Sequence, residues 1–193
     1  AAAALLRVAL LEMERPFQHL YTLAGMARLA GAQLVASHCM ALREKLVAEA
    51  APITGSRLLM DVCIPGGLSV RDATQMGDLC ARMYELGQKA YPQLVLLWRE
   101  YPGLSALLGR VGRIQADDLE RVGLDGPVAR AAGWDCDGRR IMPAYDGLWR
   151  YTSGRQNGTA EDRALRLLDE MEESLRMLDL ASARIGLNAG GTV

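Results

Sequence analysis

Leu165, Leu168, Met171, Leu175 and Leu178 form an apolar stripe along the segment from Ala160 to Ile185. Apolar residues recurring at three- and four-residue steps share one face of a helix, and a helix this long must bury that face against other helices. The other end of the chain obeys the same rule. Residues 4–50 read as helix almost throughout, with Leu5, Leu6, Ala9, Leu10 and Met13 continued by Leu20, Leu23, Ala27, Ala30 and Leu34. Pro16 lacks the N–H a helix interior needs and predicts a kink or break near Arg15. Gly25 and Gly31 loosen the run or let another helix approach. Ala41–Ala50 is a further helical stretch, stopped by Pro52 and Thr54-Gly55.

The middle of the chain is more varied. Arg57–Ile64 (RLLMDVCI) is short and apolar and predicts a strand or extended segment, followed by a tight turn at Pro65-Gly66-Gly67. Ser69 or Asp72 can cap the next helix, which runs to about Glu100, bends at Pro92 and ends at Tyr101-Pro102-Gly103. Short helices follow over Ser105–Leu108 and Ala116–Arg121, the second stopped by Gly123. Tyr151–Gly158 reads as a polar loop. The predicted fold is mainly α, a long-helix bundle with a minor extended or β element near residues 57–65. One helical domain is expected over residues 1–186, with a flexible glycine-rich tail at 187–193. Neither a βαβ alternation nor a phosphate-cradling glycine loop is present.

Charge and cysteine usage narrow the function. The net charge of −1 gives no basic field, so no nucleic-acid partner is expected. No apolar run reaches the ~20 residues that span a bilayer. The alanine- and leucine-rich start is too short for a signal-peptide core. Cys39, Cys63, Cys80 and Cys136 form no Cys-x-x-Cys pair, and only Cys39 has a histidine, His38, beside it. They read as isolated buried thiols in a reducing, cytoplasmic setting, with no metal ligand among them.

The segment Gly123–Arg140 (GLDGPVARAAGWDCDGRR) does not read as regular helix or strand. Its glycines, acids and arginines predict an ion-pair lattice of Arg130, Asp135, Asp137, Arg139 and Arg140 that fixes its shape. Glu12, Arg15 and His19 fall at i, i+3 and i+7 on one helix face. That face is either a polar stripe with an internal ion pair, a packing surface, or a place for His19 beside a proton path. Arg43 and Glu44 read as a structural pair at a helix surface. The nine methionines read as gap-filling core residues, and Trp98, Trp134 and Trp149 as packing anchors.

Four segments in order carry a family resemblance. Leu5-Leu-Arg-Val-Ala-Leu-Leu-Glu-Met-Glu-Arg15 with His19 is similar to an "L-R-x-x-x-x-E-x-E-R-x-x-x-H" helix. Arg43-Glu44, then Thr54-Gly55-Ser56-Arg57 and Pro65-Gly66-Gly67, is similar to "R-E … T-G-x-R … G-G-V". Gly123–Arg140, with Pro143 and Tyr145-Asp146 after it, is similar to "G-x-x-G-P-x-x-R-x-S-G-x-x-x-D-x-R-R". Arg163 and Glu170-Met171-x-x-Ser174-Leu175-Arg176 complete the set with the last-helix pattern "E-M-x-x-S-L-R". Together they resemble the large subunit of membrane-bound, energy-converting nickel–iron hydrogenases and the homologous 49-kDa-type quinone-site subunit of respiratory NADH:quinone oxidoreductase.

The resemblance implies a hydrogenase-large-subunit-like fold and the central part of a larger oxidoreductase subunit. In the family the nickel–iron centre hangs on two Cys-x-x-Cys pairs outside the matching region, so this chain is expected to carry no cofactor itself. The complete complex would hold a nickel–iron centre in the hydrogenase version, or bind NAD and quinone in the other. It would be an enzyme only as that complex, and the isolated chain would be inert. Partners implied are an iron–sulfur small subunit and further subunits at the inner face of a membrane. His19 is then the candidate for a proton or quinone path. The arginines of Gly123–Arg140 would line the wall toward the iron–sulfur partner, where positive charge raises a cluster's potential. Leu29 stands where the quinone-type subunits carry an aspartate, which favours the hydrogenase side or a divergent relative. Pro16, Phe17 and Gly138 also depart from the pattern. The competing expectation is a standalone, non-catalytic helical interaction module descended from such a protein.

Overall fold

Gly31, not Pro16, divides the N-terminal helical run. In the computed structural model, which describes residues 2–150 and 157–189, helix α1 spans Ala2–Leu29 straight through Pro16, and α2 spans Gln33–Thr54. The helix ends where the chain must turn left-handed. Gly31 has φ of +79°, the Gly31 N–H bonds to the Arg28 carbonyl, and the Ala32 N–H reaches back to Ala27. That paired closure uses a conformation only glycine adopts cheaply. Pro16 costs one backbone hydrogen bond, but Met13, Phe17 and Leu20 beside it are buried in the core. Packing of that face outweighs the lost bond. Pro52 and Pro92 are likewise carried inside α2 and α3 (Met76–Glu100).

Of the strand or extended segment predicted over 57–64, only Cys63–Ile64 is strand. Leu59 and Asp61 both take positive φ, so the run is a series of turns, with Leu58 and Met60 in solvent and Val62 buried. Only Cys63–Ile64 (β1) and Gly67–Leu68 (β2) pair, antiparallel, across the Pro65-Gly66 turn. Asp72 caps a short 3-10 turn, Ala73–Gln75, that leads into α3. After α3 come α4 (Leu104–Leu108), α5 (Ala116–Val122) and α6 (Gly126–Ala131). The segment Gly123–Arg140 therefore holds a short helix, α6, as well as a 3-10 turn at Gly138–Ile141. A second 3-10 turn spans Pro143–Tyr145.

Helix α7 (Ala160–Ala189) runs past the expected end at Ile185 and through the first residues of the expected tail. Thr159 and Asp162 start it with a reciprocal cap, each bonding the other's backbone N–H. Residues 151–156 of the expected polar loop and 190–193 of the tail lie outside the described residues.

The four long helices close a ring: α1 packs on α2, α2 on α3, α3 on α7, and α7 on α1. Their facing stripes form one continuous core that includes Phe17, Leu23, Leu46, Met83, Trp98 and Met171. Helix α6 lies against α7, and a satellite cluster of Val8, Tyr145, Leu148 and Met177 seats the 3-10 turns over the α1–α7 seam. Among the described residues no helix is long and apolar enough to cross a membrane.

Candidate functional site

The α1–α7 seam carries the site. Glu12, Arg15 and His19 lie on the α1 face turned toward α7. Glu170, Glu173 and Ser174 lie on the α7 face turned back, spaced three and four residues apart so that they stack along the helix. The loop beyond α6 closes over both. Asp137 caps the 3-10 turn through the Arg139 N–H at 3.0 Å. It also accepts from Arg139 Nε at 3.0 Å and Nη2 at 2.7 Å, which turns that guanidinium inward.

Two buried carboxylates are the hubs. Glu12, with no solvent exposure, accepts from the Tyr145 hydroxyl at 2.6 Å, the Ser174 hydroxyl at 2.5 Å and Arg15 Nε at 3.3 Å. Arg139 Nη1 lies 3.8 Å from it. Glu170, 2% exposed, accepts from Arg130 Nε at 2.6 Å and bonds His19 Nε2 at 3.1 Å. Arg15 Nη1 approaches it to 3.7 Å. Arg139 also reaches Glu173 at 3.3 Å and lies over the Trp149 ring. Glu12 and Glu170 thus each have an opposite charge and hydrogen bonds, as burial demands.

This arrangement sets the protonation states. Burial pushes the Glu170 carboxyl up, but the hydrogen bonds from His19 and Arg130 and the charge of Arg130 outweigh it and hold the group at about 2. Asp137 follows the same logic: burial raises it, the bonds and charge of Arg139 lower it further, and it ends below its ordinary value. Burial lowers His19, the bond and charge of Glu170 resist, Arg15 and Arg130 add to the lowering, and the imidazole ends below its ordinary value. Glu173 and Asp169, on the same stretch of α7, are raised, in both cases chiefly by burial.

The ring of His19 also borders a cleft of about 930 Å³. Thr22, Met26 and Leu29 of α1, Leu108 and Val111, Val128 of α6, and Leu167 of α7 make its walls largely apolar. Such a volume suits an organic ligand. Leu29 stands almost fully in solvent at the rim. A second cleft of similar volume, lined by Arg99, Arg113, Arg166, Asp162 and Asp169, mixes both signs of charge and favours neither.

The expected lattice in Gly123–Arg140 is not one unit. Arg130, Asp137 and Arg139 turn inward to the helices, whereas Arg140 and Asp135 pair with each other at 2.7 Å in solvent. Arg43 and Glu44 do not pair, because adjacent helix residues point apart. Arg43 donates to the Phe17 carbonyl and lies over the Tyr21 ring, and Glu44 pairs with Arg57 at 2.7 Å. Trp98 is fully buried, but Trp134 faces solvent for two-fifths of its surface. Sequence reasoning sets Glu170, Ser174 and Tyr145 within motifs without giving them partners, and it passes over Glu173. The signal is present nonetheless: Glu170, Glu173 and Ser174 sit on the apolar face of α7, among Met171, Leu175 and Met177, where unpaired charge is too costly to leave.

The thiols do not suit a thiolate-ligated metal. Burial pushes Cys39 and Cys80 up to about 12, the reverse of what a ligand needs. Cys63 is exposed, and Cys136 donates to Asp125. Among the described residues no group of three or more histidine, cysteine or acidic side chains is placed to hold a metal ion. These residues do not fit a nickel–iron centre.

Residues 30–191 match the family described as "Respiratory-chain NADH dehydrogenase, 49 Kd subunit". The chain belongs to that family. An NADH-quinone oxidoreductase subunit of this type from Solibacter usitatus is 31% identical over 183 residues, which is 91% of this chain and 48% of that protein. Its counterpart in Rhizobium meliloti is 32% identical over 181 residues, 90% of this chain and 44% of that one. The chain thus spans about half the length of the curated 49-kDa relatives it matches. A solved chain of the membrane-bound sulfane sulfur reductase, an archaeal respiratory membrane complex, superposes with a TM-score of 0.84 at 22% identity, covering 95% of this chain and 50% of that one. The fold is therefore that of the large subunits in such complexes. Leu29 favoured the hydrogenase branch or a divergent relative; these sequence matches are to NADH-quinone oxidoreductase subunits, at 31% and 32% identity.

Proposed function

We propose that this chain is the helical core of a 49-kDa-type subunit and forms one wall of a quinone site in a larger, membrane-associated redox complex. The observation that carries this reading is the apolar cleft with a single imidazole in its wall, backed by a buried ionic network. A quinone has an apolar body and a small polar head. The cleft walls suit the body, and among the described lining residues His19 is the one imidazole, a group whose ordinary pKa lies near neutrality and which burial here lowers. Reducing a quinone to a quinol takes two electrons and two protons. The electrons would come from an iron–sulfur partner, and the side chains of this chain would orient the head and handle a proton. Glu12, Arg15, Arg130, Asp137 and Arg139 do not touch the ligand in this scheme; they fix the wall that carries His19. Attachment to the membrane would run through partner subunits.

The test is photo-crosslinking of the complete native complex with a photoreactive quinone analogue. Label on the cleft peptides of α1 and α6 is expected, together with a loss of quinone reduction of about 100-fold or more in His19→Gln. Label confined to other surfaces, or a native protein of about this length without redox partners, would overturn the reading and leave the interaction module.

A further inference from the structure

We propose that Arg163 sets the head-group specificity of the apolar cleft, so that a ring ligand with negative charge on an exocyclic oxygen is favoured over a neutral ligand of the same shape. This rests on the reading of the cleft as a quinone site and names what its polar end asks of the head.

The charges at the start of α7 are sorted between the two clefts. Glu161 and Asp162 line the mixed one, with Arg99, Arg113 and Arg166. Arg163, the next residue, lines the apolar one beside Ala160. Among the described residues that line the apolar cleft none is acidic. His19, lowered below its ordinary value, is largely neutral at pH 7.5. Arg163 is thus the one formal charge in that wall.

Nothing nearby cancels it. Arg163 Nη1 donates to the carbonyls of Gly112 and Gly158 at 2.8 and 3.0 Å, which hold the guanidinium in place and leave its charge intact. Gly112 is itself a wall residue, so the head of the side chain stands at the wall and not only its stem. A Cβ on Gly112, whose φ is +64°, would lie 2.6 Å from Arg163 Nη2, so the glycine leaves the room that the guanidinium fills. Asp162 is the one acid whose charge Arg163 feels. That carboxylate is engaged in the α7 cap, accepting from the Thr159 N–H at 3.1 Å and the Thr159 hydroxyl at 2.6 Å. Behind His19, Glu170 is matched by Arg130 at 2.6 Å.

A cation at the edge of an apolar cavity acts over several ångströms, because low-dielectric walls screen it weakly and focus its field. Burial has cost this guanidinium solvation, and an anionic oxygen restores part of what water supplied. A quinone carbonyl presents the negative end of a dipole and is attracted. An ionised oxygen in the same place is attracted more strongly.

Equilibrium binding to the complete native complex at pH 7.5 tests this with two probes of one shape. One is a 2-alkyl-3-hydroxy-1,4-naphthoquinone, ionised at that pH; the other is the matching neutral 2-alkyl-3-methyl-1,4-naphthoquinone. The ionised probe is expected to bind about tenfold or more tightly. Arg163→Gln is expected to remove that preference, and Arg163→Lys, which keeps the charge, to retain most of it. Equal binding of the two probes by the wild type, or an undiminished preference in Arg163→Gln, overturns the inference. If Arg163→Gln does not fold, the wild-type ratio and Arg163→Lys carry the test, and loss of the preference in Arg163→Lys overturns a role based on charge. Dodecanoate, an anion without a ring, is expected to bind more weakly than the ionised probe; equal affinity overturns the quinone as the occupant. A wild type that binds neither naphthoquinone overturns the quinone reading of the cleft itself, so the two failures are told apart.

Discussion

Arg130 places its Nε 2.6 Å from Glu170 and an Nη 3.0 Å from the Cys136 carbonyl, with the side chain 9% exposed. Removing one partner of a buried pair strands the other charge, a loss of about 3–5 kcal/mol. Arg130→Met is expected to destabilise the protein by that order, measured by denaturant unfolding. Arg130→Lys, which keeps the charge but cannot make both bonds, is expected to fall between. The face formed by Glu12, Arg15 and His19 was legible in the sequence because helical periodicity is local. Which charges it meets was not. Asp135, Asp137, Arg139 and Arg140 are neighbours in sequence, yet only the middle two turn inward, since the 3-10 turn capped by Asp137 sets their directions. The partners that matter to Glu12 lie 133 and 162 residues away in the chain.

Helices were readable at the level of their apolar stripes and misread at their interruptions. Pro16 predicted a kink or a break, and the helix does not break there because buried packing holds it, while Gly31 makes the break because the chain there needs a left-handed turn. The residues of 57–64 are apolar in composition, but composition carries no φ angle, and two left-handed residues bar a strand. Gly25 and Gly31 were expected to loosen the helix or let another approach; close approach is found instead at Gly87, where an added Cβ would overlap both methyl carbons of the buried Leu175 across the α3–α7 contact. Helix propensity favours alanine over glycine by about 1 kcal/mol, but overpacking a core costs about 1–3 kcal/mol. Gly87→Ala is therefore expected to lower the melting temperature. Gly25→Ala meets nothing within 4 Å and keeps only the propensity gain, so a raised melting temperature is expected there. A calorimetric comparison of the two variants separates packing from propensity.

The ionic seam makes the stability of the whole molecule depend on pH. Glu170 is held at about 2, below the ordinary carboxyl value of ~4.3, so over that interval the unfolded chain binds a proton that the folded chain refuses. Its contribution is complete above about pH 4.5 and is lost as pH falls toward 2. His19, lowered from ~6.5, adds a loss that begins below that value. Asp169 and Glu173 are raised and act in the opposite sense, so a difference between variants removes them and leaves Glu170 together with the share of His19 that it sets. The stability gap between wild type and Glu170→Gln is expected to be widest above pH 4.5 and to shrink steadily below it in urea titrations. A gap independent of pH would show that the carboxylate charge is not what the seam uses.

Glu12 also imposes an order on birth. It leaves the ribosome with an acid in the middle of what becomes a buried face, and its Ser174 partner is made 162 residues later. At about 5–20 residues per second, that is a wait of roughly 8–30 seconds. Throughout it, nascent α1 can keep its acid in water but cannot complete the pocket built to receive it. Helix α7, translated after the other three long helices, is thus the one that allows α1 to dock.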